Sequence, residues 1–348
     1  MSKLSIALVG AGLMGRTHAQ LILRNPAVRL SAVVDPLPAA AQWAGQWGVP
    51  WFDSLQALLA EDRPAGIVLA TPNPLHVPQA LACLEAGVSV LVEKPVASTL
   101  AEGERLLRAA QASKAQVLVG HHRAHSPIME KAQKLVRSGR LGRLVAVMGS
   151  ATFFKPDLYF AEGPWRSQVG GGPILINMIH EVHNLRMLCG DIVAVQALAS
   201  NAVRGHVVED TVSISLRFSS GALGSFLLSD TAASARSWEQ TSQENKAYPS
   251  YDDEDCYVLT GTLGSLAVPS MRLKTYPGPD DASWWKPFDC EQLPLQRQDP
   301  LVRQLDHFVQ VLRGQARPLV SVSDGLHNLR VIEAIAESAR SGMTIPLN

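Results

Sequence analysis

The sequence has few cysteines, no excess of charge of either sign and no long apolar run. Its four cysteines are scattered over 348 residues without a Cys-x-x-Cys pair, so a disulfide framework is not expected. Lys and Arg together number 31, as do Asp and Glu, which excludes the basic surface that binds nucleic acid or an anionic membrane. No apolar run approaches the roughly 20 residues that span a bilayer. Because strand-like residues begin almost at once, we expect no signal peptide and a cytoplasmic location with reduced thiols.

A strand-like stretch at the start of the chain ends in a glycine-rich turn, Gly-Ala-Gly-Leu-Met-Gly at residues 10–15. In a dinucleotide site, Gly10 would make the strand-to-helix turn and Gly12 would let the backbone approach a pyrophosphate. Gly15 would let the following helix pack closely on the strand. The backbone of Leu13 and Met14 would form the N-terminus of that helix, which favours phosphate groups. This arrangement predicts a dinucleotide site.

An acidic residue, Asp35, closes the second strand-like stretch about 20 residues after the glycine turn. In dinucleotide-binding folds a carboxylate here accepts hydrogen bonds from the ribose hydroxyls. It would repel the 2′-phosphate of NADP, so we expect NAD as the cofactor, with NADP less favoured.

The length and the order of segment types predict two domains. A single core rarely grows beyond about 250–300 residues, and this chain has 348. In its first third, apolar strand-like runs alternate with helical segments, which predicts a parallel α/β sheet with right-handed crossovers. The pattern changes near residue 124. We therefore expect a Rossmann dinucleotide-binding domain over residues 1–123 and a second domain over residues 124–348.

Polar residues follow two of the predicted strands of the first domain directly, in the segments Thr71-Pro72-Asn73 and Glu93-Lys94-Pro95. Ligands of such sheets bind beyond the carboxyl ends of the strands. Lys94 could be a solvated loop charge, but its place between a strand end and a proline favours a proton donor or acceptor. The residues predicted to bind the cofactor are Gly10, Gly12, Leu13, Met14, Gly15, Asp35, Thr71, Asn73, His76, Glu93 and Lys94.

The second domain is predicted to be α+β. Residues 211–218 alternate apolar and polar, which is typical of antiparallel strands with one solvated face. The runs after Gly224 and Gly264 are similar. We expect helices over residues 128–137, 174–189, 302–312 and 328–340, and loops over residues 238–255 and 276–300.

The helix predicted over residues 174–189 carries a row of hydrogen-bonding side chains. Asn177, His180, His183 and Asn184 are three, six or seven residues apart and so share one face. Such a row suits a polyhydroxylated ligand, although either histidine could instead be a satisfied packing residue. The sequence lacks a His-Glu-x-x-His motif here, so we expect no metal site.

Two other groups are candidates for substrate contact. His122 and Arg123 follow a predicted strand at residues 116–120, and Arg123 could contact substrate or pair with an acid. Trp165 and Arg166, together with Tyr159, could form a wall on which a sugar stacks, or could pack within a loop.

These motifs together resemble the glucose–fructose oxidoreductase and inositol dehydrogenase (Gfo/Idh/MocA) family of NAD(P)-dependent oxidoreductases. The resemblance covers nearly the whole chain and rests on residues 10–15, on 70–73, on 93–95 and on the glycine-rich segment that enters the His180 helix. It implies that Lys94 and His180 take the catalytic positions and that Asn73 and Glu93 border the nicotinamide. It also implies a large open sheet in the second domain, whose face mediates dimers or tetramers, and a final helix, about 326–340, that returns to the first domain.

The chain departs from the family pattern around His180. The family often has Asp four residues before this histidine and another three residues after it, where this chain has Ile176 and His183. Either Asn177 supplies a hydrogen bond from a shifted position, or Lys94 and His180 suffice.

We therefore expect an NAD-dependent oxidoreductase that transfers a hydride between nicotinamide and a secondary alcohol of a sugar, polyol or related cyclic alcohol. Two alternatives stay open, an NAD-dependent glycosidase that oxidises its sugar transiently and a non-catalytic dinucleotide-sensing regulator. We expect a homodimer or homotetramer and no nucleic-acid or membrane partner. The residues predicted to contact substrate are Lys94, His122, Arg123, Trp165, Arg166, Asn177, His180 and His183.

Overall fold

The computed structural model describes residues 2–347, and the chain divides into two compact units. The first unit contains the residues up to His122 together with Pro300–Leu329. The second contains Arg123–Asp299 and the residues from Arg330 onward. In the part of the chain that the structure describes, no helix is both long enough and apolar enough to cross a membrane.

A parallel sheet, which we call the first sheet, forms the centre of the first unit; within the described residues it has six strands in the order β3-β2-β1-β4-β5-β6. Its strands are β1 (Leu4–Val9), β2 (Val28–Val34), β3 (Trp51–Phe52), β4 (Gly66–Leu69), β5 (Ser89–Glu93) and β6 (Val117–Gly120). The connecting helices are α1 (Leu13–Arg24), α2 (Ala39–Gln46), α3 (Leu55–Glu61), α4 (His76–Glu85) and α5 (Leu100–Ala112). The predicted Rossmann fold is confirmed.

The strand order reverses between β1 and β4, which are neighbours in the first sheet. The glycine turn follows β1, and the Thr71 turn follows β4. Ligands of doubly wound sheets bind beyond the carboxyl ends of the strands at this reversal. The glycine motif of residues 10–15 therefore lies at the point of the first sheet where a ligand is expected.

A larger and mostly antiparallel sheet, which we call the second sheet, forms the centre of the second unit. Among the described residues it has nine strands in the order β14-β13-β12-β11-β7-β10-β9-β8-β15, and only β7 and β10 pair in parallel there. The strands are β7 (Leu144–Thr152), β8 (Ile192–Ser200), β9 (Thr211–Phe218), β10 (Leu223–Ser229), β11 (Tyr257–Gly261), β12 (Gly264–Val268), β13 (Arg272–Thr275), β14 (Asp289–Gln292) and β15 (Ile345–Pro346). The predicted α+β class is confirmed.

One face of the second sheet is buried with helices of the same unit. Helices of this unit include α6 (Pro127–Arg137), α7 (Asp157–Ala161), α8 (Ile179–Cys189) and α9 (Trp238–Ser242), and of these all but α7 contribute buried side chains to this core. Val212, Ile214 and Leu216 of β9 share the buried core with Ile128 of α6 and Val182 of α8. Burial of each such side chain contributes about 1.5–3 kcal/mol. The alternating residues of β9 therefore fix which of its faces is buried.

The last two helices, α10 (Pro300–Leu312) and α11 (Val322–Ser341), correct the expected domain boundary. We expected residues 300–325 in the second domain and a final helix, about 326–340, that returns to the first, but residues 300–329 all belong to the first unit. Leu305 and Phe308 of α10 are buried in the core of the first sheet, and the amide of Val119 in β6 donates to the carbonyl of Val320. The final helix begins at Val322, and only its residues up to Leu329 belong to the first unit.

Two segments differ locally from their predicted structure. The helix predicted over residues 174–189 begins with a π-helical turn, Ile174–Met178, before α8. The predicted loops contain short elements, α9 in the first and the fully exposed strand β14 in the second. β14 has only polar and cysteine side chains, Asp-Cys-Glu-Gln, and therefore lacks the apolar alternation that indicates a strand.

Candidate active site

The three glycines of the turn after β1 differ in whether the fold itself requires a residue without a Cβ. Gly10 has φ of +92°, and a Cβ there would lie 2.6 Å from the carbonyl oxygen of Ala70. A Cβ on Gly15 would lie 1.9 Å from the carbonyl oxygen of Gly10. Gly12 differs from both, because a Cβ there would meet no atom of the protein within 4 Å. The fold requires Gly10 and Gly15, whereas the space in front of Gly12 is open to a ligand.

The N-terminus of α1 begins at this open space. Its N-cap is Gly12, which has no side chain to accept a hydrogen bond from the first turn, and the first turn contains no acidic residue. Leu13 is 73% exposed. Amide donors at an uncapped helix N-terminus favour a phosphate, so the residues present fit the pyrophosphate of a dinucleotide.

Asp35 follows β2 directly and is hydrogen-bonded to the glycine turn. Its Oδ2 accepts from the amide of Ala11 at 2.7 Å, and its Oδ1 accepts from the amide of Leu37 at 2.9 Å. These bonds fix the carboxylate while leaving lone pairs for ribose hydroxyls. The nearby cation Arg16 stacks on Trp43, with its guanidinium carbon 4.3 Å from the ring centre.

His76, which we predicted to contact the cofactor, is hydrogen-bonded within the protein. Its ring is 1% exposed, with Nδ1 2.7 Å from the carbonyl oxygen of Pro95 and Nε2 2.8 Å from that of Thr71. The imidazole thus joins the turn after β4 to the turn after β5. Thr71 in addition donates through its hydroxyl to Gln79 at 2.7 Å. His76 holds these two turns together, which is a positioning role.

Glu93 and Lys94 lie at the end of β5, where Glu93 is 6% exposed and Lys94 is partly exposed. Oε2 of Glu93 accepts from the amide of Lys94 at 3.2 Å, and Oε1 pairs with His18 of α1. Burial by itself raises the pKa of Glu93, but the hydrogen bond and charge of His18, with the charges of Lys94 and His122, hold that pKa below its usual value. The surroundings of Glu93 therefore favour its ionised carboxylate.

The helix of the second unit that carries the predicted substrate residues is largely buried. His180 is 9% exposed, His183 is 6% exposed and Asn184 is fully buried. Asn184 donates to the hydroxyl of Tyr257 at 2.9 Å, so this amide has a structural partner. Asn177 lies in the π-helical turn and is less buried.

Arg123, for which we left two roles open, forms ion pairs. Its guanidinium is 3% exposed and donates to Glu181 at 2.5 Å and to Glu239. These two carboxylates hold the pKa of Arg123 above its usual value although burial acts against the charge. Glu181 also accepts from the hydroxyl of Tyr257. Of the two roles left open for Arg123, the structure shows the pairing with acidic residues.

A cavity of about 600 Å³ lies within the second unit, and we call it the second-unit cavity. Asn177 and Tyr159 contribute to its wall, whereas Trp165 and Arg166 are not among the described residues that line it. Arg166 stacks on Tyr159, with its guanidinium carbon 4.0 Å from the ring centre, and Trp165 is 54% exposed. Of this predicted group, only Tyr159 therefore lines a cavity of ligand size, with Arg166 stacked on its ring.

One lysine of this cavity, Lys155, is not among the residues predicted from the sequence. Lys155 donates to the amide oxygen of Asn177 at 2.7 Å. A signal was present, because Lys155 stands directly before Pro156 and shortly after β7, much as Lys94 stands directly before Pro95 after β5. Among residues 2–347, no three His, Cys, Asp or Glu side chains are grouped so that they could hold a metal ion.

Comparison with known proteins identifies the family. A family model described as an oxidoreductase family with an NAD-binding Rossmann fold (GFO_IDH_MocA) matches residues 4–121. The model of the GFO/IDH/MocA C-terminal domain matches residues 129–267. The chain belongs to this family. It is accordingly an oxidoreductase with an NAD(P)-binding Rossmann domain, and the resemblance inferred from its motifs is confirmed.

Three distant relatives match this chain over nearly their full length. The rhizopine catabolism protein MocA of Rhizobium meliloti is 25% identical over 97% of this chain and 95% of its own length. An inositol 2-dehydrogenase of Rhizobium meliloti is 24% identical over 95% of each chain. The WlbA dehydrogenase from Bordetella pertussis, solved in complex with NADH and UDP-GlcNAcA, is 26% identical, with a TM-score of 0.79 and coverage of 100% of this chain and 99% of the other.

Proposed function

We propose that this protein is an NAD-dependent dehydrogenase that oxidises a secondary alcohol of a sugar, polyol or related cyclic alcohol. The observation that carries the proposal is the open space at Gly12, which the fold does not require and a pyrophosphate would use. The similarity to an inositol 2-dehydrogenase supports a polyol-like substrate. Bound nicotinamide would supply the redox chemistry by exchanging a hydride with the substrate carbon.

The residues of the chain have two tasks in this proposal, to orient the substrate and to move its hydroxyl proton. We assign proton transfer to Lys94 and His180, in line with the family resemblance. Asn73 and Glu93 would border the nicotinamide, and Glu93 would also fix the Lys94 turn through its bond to the Lys94 amide. His122, Asn177 and His183 would contact substrate hydroxyls. Arg123 would position the helix that carries His180 through its ion pair with Glu181.

The test is a comparison of turnover with cofactor affinity. Lys94→Ala and His180→Ala should each lower kcat by about 10²–10⁴, which is the usual contribution of a positioned acid or base. The affinity for NAD, measured by calorimetry, should change far less because neither side chain is expected to hold the phosphates. Lys114→Ala, at an exposed site of the first unit, is the matched control.

Other outcomes would contradict the proposal. Near-normal turnover in folded Lys94→Ala would show that Lys94 is not a catalytic residue. Cleavage of a glycoside with no net reduction of NAD would favour the glycosidase, and NAD binding without turnover of any sugar or polyol would favour a regulator. We place the enzyme in the cytoplasm, where its cysteine thiols would stay reduced.

We also propose that two copies associate through the outward face of the second sheet. Leu198 of β8 and Leu227 of β10 are 73% and 47% exposed, and both align with Ser213 of β9 between them. Met148 of β7 adds a further exposed apolar side chain on the neighbouring strand. An apolar surface of this kind favours association. Leu227→Glu should give a monomer in light scattering, and an unchanged mass in this variant would exclude this face.

A further inference from the structure

The second-unit cavity contains a buried cation for which the proposed function has no use so far. The side chain of Lys155 is 12% exposed and forms part of the cavity wall together with Phe153, Tyr159, Asn177 and Tyr248. Lys155 lies in the loop after β7. The cavity that it lines has a volume of about 600 Å³, which is within the usual range of small-ligand sites.

Two short-range partners fix the ammonium group. Nζ donates to Oδ1 of Asn177 at 2.7 Å and, more weakly, to Oδ2 of Asp230 at 3.4 Å. It also lies 4.8 Å from the ring centre of Tyr159 and 5.5 Å from that of Phe153. An ammonium group has three N–H donors. One donor therefore remains beyond those that Asn177 and Asp230 accept.

The charges around Lys155 do not balance in the buried part of the site. Asp230, whose side chain is 3% exposed, also accepts from Nε of Arg204 at 3.1 Å, and the Arg204 side chain is 6% exposed. These two largely buried cations thus share Asp230 as a partner, while the buried carboxylate of Asp210 accepts from the backbone amides of Val203 and Arg204. Asp157 reaches Arg204 at 3.6 Å but is fully exposed, and exposed partners of this kind contribute little.

The other acidic groups nearby have partners of their own or are exposed. Burial raises the pKa of Glu209, and its Oε1 accepts from the amide of Ile174 at 2.9 Å. Glu239 lines the cavity but pairs with Arg123, and Glu162 is exposed. Arg166 adds a further positive charge near Lys155. Consistent with an uncompensated cation, burial lowers the pKa of Lys155 to about 8 although Asp230 acts in the opposite direction.

We infer that Lys155 forms a subsite for a carboxylate of the substrate, so that the preferred substrate is a sugar acid or polyol acid and not its neutral counterpart. A carboxylate accepts a charge-assisted hydrogen bond from the third ammonium donor and supplies the absent negative charge. The tyrosines and Asn177 around it offer hydrogen bonds to hydroxyl groups. This inference rests on the proposed function, since it names the substrate class for the same site.

Matched pairs of ligands test the inference directly. Glucuronate is compared with glucose, galacturonate with galactose, and gluconate with sorbitol, by calorimetry with and without NAD and by turnover. Wild-type protein should bind at least one acid about tenfold or more tightly than its neutral partner, as expected for a hydrogen bond between charged groups. Lys155→Met should remove this preference and change the affinity for the neutral partner by less than about threefold. Lys155→Arg should retain part of it.

Lys274→Met removes an exposed lysine of the same unit and should change neither affinity. Equal binding of acid and neutral partner by wild-type protein, or no binding of any acid, would overturn the inference. Equal weakening of both partners in Lys155→Met would show that Lys155 only holds Asn177 in place. An acid that binds through Lys155 without ever reducing NAD would instead contradict the proposed function and leave the subsite standing.

Discussion

Nε2 of His18 lies 2.8 Å from Oε1 of Glu93, so the helix that begins at the glycine turn is hydrogen-bonded to the strand end that precedes Lys94. Both side chains are almost fully buried, at 3% and 9% exposed. The pair links the phosphate end of the proposed cofactor site to its nicotinamide end within the first unit.

Removal of His18 alone should destabilise the protein because it leaves the Glu93 carboxylate buried without this donor. We expect His18→Leu to lower the free energy of unfolding by about 3–5 kcal/mol, as for other broken buried pairs. His18→Leu combined with Glu93→Met should recover much of this loss, since an apolar pair needs no compensation. Urea denaturation of the wild type, both single variants and the double variant completes the cycle. Additive losses would show that the two residues do not interact.

Gly12→Ala and Gly15→Ala should separate cofactor binding from folding. A Cβ at Gly12 meets nothing, whereas one at Gly15 overlaps the carbonyl oxygen of Gly10. Gly12→Ala should therefore keep its melting temperature and bind NAD about tenfold or more weakly. Gly15→Ala should unfold at a lower temperature. Normal NAD affinity in Gly12→Ala would show that the dinucleotide does not use this space.

Asp35 should make the protein prefer NAD to NADP. Its carboxylate is fixed by the amides of Ala11 and Leu37, and Arg16, a candidate phosphate partner, is stacked on Trp43. A preference of only about 1.4 kcal/mol is tenfold in affinity. Asp35→Ser should narrow this ratio in calorimetric titrations, while Asp62→Ser at an exposed site should not. Equal affinity of the wild type for both cofactors would contradict this assignment.

Glu244 should make the stability depend on pH near neutrality. Burial raises its pKa to about 7, and Ser126, the N-cap residue of α6, donates to its Oε1. Between its ordinary pKa and this raised value, the folded state holds a proton that the unfolded state has lost, so stability falls as pH rises. From about pH 5 to pH 8 the loss from this group should be about 2–3 kcal/mol.

Glu244→Gln keeps an acceptor for Ser126 but cannot ionise, so its unfolding free energy should fall less over that pH range. The exposed Glu61→Gln should behave like the wild type. Identical pH profiles for wild type and Glu244→Gln in chemical denaturation would show that Glu244 does not titrate in this range.

The fold could be predicted where local sequence decides the outcome. Apolar runs such as residues 66–69 and the alternation of residues 211–218 depend only on the number of buried faces, and both became strands. The cap of α5 is likewise local, because the Thr99 hydroxyl accepts from the amide of Glu102 three residues later. β14 could not be found this way, since all of its residues are exposed.

The site could be predicted only in part, because several of its contacts join residues that are far apart in sequence. The glycine turn and Lys94 follow strand ends, which the pattern reveals. By contrast, Lys155 acquires its environment from Asp230, 75 residues later, and Arg123 from Glu239, 116 residues later. His76 carries a polar ring whose partners are backbone carbonyls, and side-chain patterns contain no information about them.

The π-helical turn at Ile174–Met178 changes what residue spacing means in front of His180. A π turn adds one residue to a helical repeat, so a side chain upstream of it is rotated relative to its place on a continuous α-helix. Ile176 and Asn177 both lie in that turn. Counting four residues back from His180 therefore does not identify the side chain that stands where an α-helix would place it. The proton-relay position of this chain should therefore be compared with that of its relatives by superposing structures and not by aligning sequences.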